Sequence, residues 1–109
     1  MMNISVKSVH FDADVKLLTF IEKKLNRLEK LFERDISAEV LLKLHDTGGR
    51  VQEKITEIHL HLPGGWVVDK KSDLTFESAI NTSVDTLRRQ LVKRKERLNE
   101  KGMRVEFEG

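Results

Sequence analysis

The chain has 109 residues and a formal net charge of only +2. That is enough for one domain with a modest core and too little for two, and the molecule as a whole is not a polycation. The absence of cysteine excludes disulfides, thiol catalysis and thiolate metal sites and fits a reducing cytoplasm. No apolar run approaches the ~20 residues of a membrane span, and the N-terminus lacks a signal-peptide core, so no membrane partner is expected.

The elements follow from periodicity. Met2 to His10 alternates, with Ile4 and Val6 on one side and Asn3, Ser5 and Lys7 on the other, which predicts a half-buried strand. Asp12 or Asp14 can then cap a helix from Val15 to Phe32, in which Leu18, Ile21, Leu25, Leu28 and Phe32 mark the apolar face. Ser37 to His45 predicts a second strand, with Ala38, Val40, Leu42 and Leu44 facing one way. Asp46-Thr47-Gly48-Gly49-Arg50 is a loop by its turn residues. Glu53 to Leu62 predicts a third strand, with Thr56, Ile58, Leu60 and Leu62 inward and Glu57, His59 and His61 outward. Pro63-Gly64-Gly65 turns the chain into a fourth strand, Trp66 to Lys71, after which Thr75 or Asp73 caps a final helix to about Lys101.

The order is β-α-β-β-β-α, an α+β domain from Met1 to Lys101 with a short flexible tail from Gly102 to Gly109. Strands two to four can form an antiparallel meander. Strand one reaches strand two by a helical crossover, so the sheet is mixed and one of its faces is available to two amphipathic helices. At 1.5 Å per residue the last helix is about 40 Å long against about 20 Å for a six-residue strand, so its C-terminal half is expected to overhang the sheet.

That last helix carries the functional signal. Ile80, Val84, Leu87, Leu91 and Leu98 share one face, and the remaining arc holds Arg88, Arg89, Lys93, Arg94, Lys95, Arg97 and Lys101 with Glu96 and Glu100 to oppose them. Like charges on adjacent turns repel, so a polyanion such as a phosphate backbone is the natural reason for their presence. The first helix adds a second basic stripe, Lys16, Lys23, Arg27, Lys30 and Arg34, beside an acidic-polar one, Glu22, Asn26, Glu29 and Glu33. Taken alone, that pattern is an ordinary solvated face.

Other constellations fall short. His59 and His61 point to the same face of a strand, but no third metal ligand is implied. Gly48-Gly49 and Gly64-Gly65 open no helix with a following Lys-Ser/Thr, so neither is a phosphate loop. Serine, histidine and acids are present without a nucleophile elbow or oxyanion loop. Trp66 beside a hairpin predicts a packed or half-exposed edge role, and aromatics at 6% with no tyrosine do not suggest a stacking platform for single strands. Neither an enzyme nor a cofactor is expected.

Leu87-x-Arg89-Gln90-Leu91-x-Lys93-x-Lys95, the Gly64-Gly65 hairpin and Lys24-x-x-Arg27-Leu28-Glu29 together resemble, in their order and spacing, the ribosome hibernation-promoting factor and ribosome-associated inhibitor family, short type, over Met2 to Lys101. The resemblance implies a four-stranded mixed sheet with two roughly parallel helices packed on one face. It also implies a protein that binds the small ribosomal subunit in the channel used by messenger RNA and transfer RNA. By the matching motif, Lys24, Arg27, Arg89, Lys93 and Lys95 would grip ribosomal RNA phosphates. Lys30, Arg88, Arg94 and Arg97 join them on charge and position. The family often opens its last helix with Asp-Met-Tyr-x-Ala-Ile-Asp, whereas this chain has Thr75-Phe76-Glu77-Ser78-Ala79-Ile80-Asn81, with Glu77 in place of the aromatic ring.

The expected function is therefore non-enzymatic: a cytoplasmic hibernation factor of stationary phase and stress that represses translation by occupying the decoding channel. Its partners would be the small subunit and its ribosomal RNA, not DNA, and off the ribosome it would be a monomer. Two rivals are a generic double-stranded RNA-binding module, which would bind free duplex, and a basic-faced protein-interaction module, whose partner would survive nuclease treatment.

Overall fold

The computed structural model describes residues 2–46, 48–49 and 52–108, with side chains through Arg97. The expected order holds: β1 (Asn3–Val9), α1 (Val15–Phe32), β2 (Ser37–Asp46), β3 (Gln52–Leu62), β4 (Gly65–Asp73) and α2 (Phe76–Glu108). Thr47, Arg50, the side chains of Leu98, Glu100 and Lys101, and the side chains of the expected tail from Gly102 lie outside the described residues.

The sheet runs β1-β2-β3-β4. The first pair is parallel, Asn3 opposite Ser37, and the other two are antiparallel, Ser37 opposite His61 and Leu62 opposite Gly65. Since β1, β2 and β4 point the same way and each helix returns against the strand before it, α1 and α2 lie roughly parallel. Alternation decides which side they cover. Ala38, Val40, Leu42, Thr56, Ile58, Leu60, Leu62 and Val67 are buried against Leu17, Ile21, Leu25, Leu28 and Phe32 of α1 and Phe76, Ile80, Leu87 and Leu91 of α2. The opposite face, with Lys7, Lys43 and Lys70 among its residues, has no helix over it among the described residues.

Local chemistry sets the element ends. Asp14, extended at φ −78°, ψ 168°, accepts the Leu17 N–H on Oδ1 at 2.8 Å and is the cap of α1; Asp12 is not. Thr75 Oγ1 does the same for α2, accepting from the Ser78 N–H at 3.1 Å. Pro63 and Gly64, the latter at φ 87°, supply the fixed and the left-handed residue that a tight type II turn demands. Gly65 is therefore already in β4, opposite Leu62.

Three expectations change. The backbone of α2 continues to Glu108, past the expected end near Lys101 and into the expected tail. In α1 Leu17 is the buried residue and Leu18 only half-buried, because steps of three and four fit either one and the helix rotation chosen by packing decides. β4 also outruns the expected Trp66–Lys71, running from Gly65 to Asp73, and β3, expected from Glu53 to Leu62, has 11 residues, so a six-residue strand understates the length of the sheet. The sheet thus spans about 30 Å or more at ~3.3 Å per residue, and α2 clears it later than expected. Arg94 lies against Gly65 at the sheet's end and Lys95 against Leu31 near the end of α1. Arg88, Arg89 and Lys93 consequently stand over the packed body, and the overhang begins only beyond Lys95.

Candidate nucleic-acid interface

The two helices are pinned together at both ends, and this pinning orients every candidate cation. Where the chain leads into them, the ring of Phe11, four residues before α1, stacks on that of Phe76, the first residue of α2, centroids 5.0 Å apart and 13° between planes. At the far end of α1, Lys95 Nζ donates to the Leu31 carbonyl at 3.0 Å and lies 3.3 Å from the Glu33 carboxylate. Leu31 offers one of the last-turn carbonyls that no intrahelical N–H can reach, and a cation there also opposes the negative end of the helix dipole. Glu33 closes α1 in the left-handed region at φ 59°, its N–H donating to the Glu29 carbonyl at 2.9 Å. On the other flank of α1, Asn26 Oδ1 accepts from the Met2 N–H at 3.4 Å, which ties the acidic-polar stripe to the β1 side.

With both helices fixed, spacing of about 100° per residue distributes the cations. Lys24 and Arg27 turn to the α2 side of α1, and Arg88 and Lys95 turn to the α1 side of α2, so these four border the groove between the helices. Lys30 and Arg89 stand on the crests. Lys93 and Arg97 lie on the flank of α2 away from α1, and Arg94 folds under it, its guanidinium 3.6 Å from where a side chain on Gly65 would begin. The nine predicted residues thus form a crest-and-groove surface along one side of the molecule, not a single compact patch.

They also differ in how far they are committed to the protein itself. Lys95, 30% exposed, is a strut between the helices. Arg88 and Arg89 both reach Asp85, at 3.3 and 3.4 Å. Lys24 sits 5.4 Å from the Phe20 ring centroid. Among the described residues, Arg27, Lys30, Lys93, Arg94 and Arg97 take no carboxylate partner, and all five are exposed. Sequence reasoning counted only Glu96 and Glu100 as opposing charges and missed Asp85; its position three and four residues before the two arginines is the signal that reveals it. The Lys95–Leu31 contact spans 64 residues and left no local trace.

The histidines gather no metal site: among the described residues no group of three potential ligands forms. His59 Nε2 lies 3.4 Å from the Glu57 carboxylate, and His61 stacks on Trp66. No helix among the described residues is long and apolar enough to cross a membrane.

Residues 4–99 match the model of the Sigma 54 modulation protein / S30EA ribosomal protein family. The chain belongs to this family. It is 31% identical over 96 residues to a ribosome hibernation promoting factor of Azotobacter vinelandii, covering 88% of this chain and 85% of that protein. A ribosome hibernation promoting factor of Pseudomonas putida is 30% identical, with 88% and 89% covered. Among solved structures, the N-terminal domain of Thermus thermophilus Protein Y superposes with a TM-score of 0.73 at 30% identity, covering 83% of this chain and 96% of that one. A ribosomal subunit interface protein from Coxiella burnetii gives 0.70 at 23% identity, with 87% and 99% covered, and shares the fold.

Proposed function

We propose that this protein is a ribosome hibernation factor that binds the small ribosomal subunit through ribosomal RNA phosphates and blocks the channel used by messenger RNA and transfer RNA. The observation that carries the reading is a helix pair presenting exposed, carboxylate-free cations from both helices on one side of the sheet, in a chain whose relatives are named ribosome hibernation promoting factors. The mechanism is steric. Phosphate contacts supply affinity and register, and the breadth of two helices, not a single basic strip, matches a groove lined by RNA on both walls. Arg27, Lys30, Lys93, Arg94 and Arg97 make the primary contacts. Arg88 and Arg89 exchange Asp85 for phosphate on binding, while Lys95 holds the helices in place.

Sedimentation of tagged protein through a sucrose gradient tests the partner: it should travel with small subunits and intact ribosomes, and free duplex RNA in excess should not strip it off. In vitro translation tests the channel. Inhibition should weaken as messenger and initiator transfer RNA are raised, and inhibition indifferent to both would move the site elsewhere.

A further inference from the structure

The sheet face that the helices leave uncovered has an aromatic cluster at the β3–β4 hairpin end. Trp66 and His61 are cross-strand partners, and their rings stack with centroids 4.3 Å apart and 11° between planes. His59 meets the same indole edge-on, at 6.4 Å and 84°. Trp66 nevertheless stays 49% exposed, and Val68, next on that face, 47%. An indole usually hides most of its area; this one is braced by imidazoles and left wet. Around the tip of the same hairpin, on the helix side, lies the Arg94 guanidinium against Gly65, with Arg97 three residues further along α2. A flat ring stack and two cations therefore border one end of the sheet, separated by the thickness of a β-hairpin.

We infer that this end holds an unpaired nucleotide of an RNA strand, its base stacked on the Trp66–His61 pair and its flanking phosphates on Arg94 and Arg97. The inference rests on the RNA-binding reading above and adds a base contact to what were phosphate contacts alone. A nucleobase offers an apolar π-face that fits an exposed indole, and a phosphate fits a guanidinium. Only an unpaired nucleotide presents both, because a duplex hides its base faces in the stack. The rest of this sheet face gives phosphate no hold: Lys7, Lys43 and Lys70 are balanced there by Glu39, Glu53 and Glu57. A second copy of the chain is a poorer occupant, since stable interfaces bury at least about 1,200 Å² in total and the exposed large apolar side chains here, among the described residues, are Trp66 and Val68.

Trp66 is the sole tryptophan, so intrinsic fluorescence reports on this site alone. The full chain is titrated with oligoadenylate of about nine nucleotides, with duplex RNA of the same length, and with tripolyphosphate. Oligoadenylate should quench the indole to saturation, and the other two should leave it bright. In small-subunit binding, Trp66→Ala should weaken affinity by about 5- to 100-fold, with Trp66→Phe within about 3-fold of wild type. Arg94→Ala should flatten the log–log salt slope by roughly 0.7–0.9, which Trp66→Ala should not.

Absence of quenching by saturating oligoadenylate, or small-subunit binding by Trp66→Ala as tight as wild type, would overturn the inference. Quenching that appears on concentrating the protein alone would do so too, by assigning the patch to self-association. Failure of the ribosome reading looks different: the wild-type chain would be quenched by oligoadenylate and still not sediment with small subunits.

Discussion

Replacing Lys95 with alanine separates a strut from a phosphate contact. The change removes the bond from Nζ to the Leu31 carbonyl at 3.0 Å and the 3.3 Å approach to Glu33. A hydrogen bond involving a charged group is worth about 1.5–3 kcal/mol. Here Lys95 is 30% and Glu33 71% exposed, so solvent screening reduces the pair with Glu33 to a few tenths and the total to about 1–2 kcal/mol. For a domain of this size each kcal/mol moves the midpoint by about 4–8 °C, so thermal unfolding should fall by roughly 5–15 °C. Ribosome affinity should drop as well, through loss of helix alignment, but the slope of log K against log salt should stay as in wild type, because no counterion-releasing contact is removed. Lys93→Ala is the counterpart: an unchanged midpoint, since an exposed substitution costs within ~0.5 kcal/mol, and a slope shallower by roughly 0.7–0.9. Scanning calorimetry and salt-dependent pelleting with small subunits measure both quantities. If Lys95→Ala keeps the wild-type midpoint and flattens the slope, Lys95 is a phosphate ligand and the strut argument is wrong.

Further outcomes follow from the same geometry. If the five carboxylate-free cations carry most of the contact, wild-type binding should show a slope of about −3.5 to −4.5, and pelleting across a salt series that returned a slope near zero would reject an electrostatic interface. Asp85→Asn should tighten small-subunit binding, because Arg88 and Arg89 then reach phosphate without giving up a carboxylate, and should leave that slope as in wild type while changing urea stability by no more than ~0.5 kcal/mol. Leu91→Ala, which opens a cavity at a side chain with 0% exposure, should cost about 2–5 kcal/mol in urea unfolding and reduce binding only as far as it reduces the folded fraction.

Much of this protein was legible in one dimension because the deciding interactions are local. An Asp14 cap before an amphipathic run defines α1 from Val15 to Phe32, and alternation at Ala38-x-Val40-x-Leu42 and Thr56-x-Ile58-x-Leu60 assigns each strand its inner face. Pro63-Gly64 announces its own turn, and the order of the basic motifs points to the family. Packing decided the rest. Whether Leu17 or Leu18 enters the core depends on a rotation that steps of three and four leave free. β4 outruns its clear alternation because pairing extends it as far as the β3 backbone is available, and the full reach of β3 and β4, longer than a six-residue strand, leaves Arg88, Arg89 and Lys93 on the body and not on an overhang. Lys95 reads as one more cation in a basic run until the C-terminus of α1, 64 residues away, presents an unsatisfied carbonyl to it. His59, His61 and Trp66 read as scattered polar and edge residues until a two-residue turn folds β4 beside β3 and stacks them. Periodicity records which face a side chain occupies; only the closed fold determines what waits there.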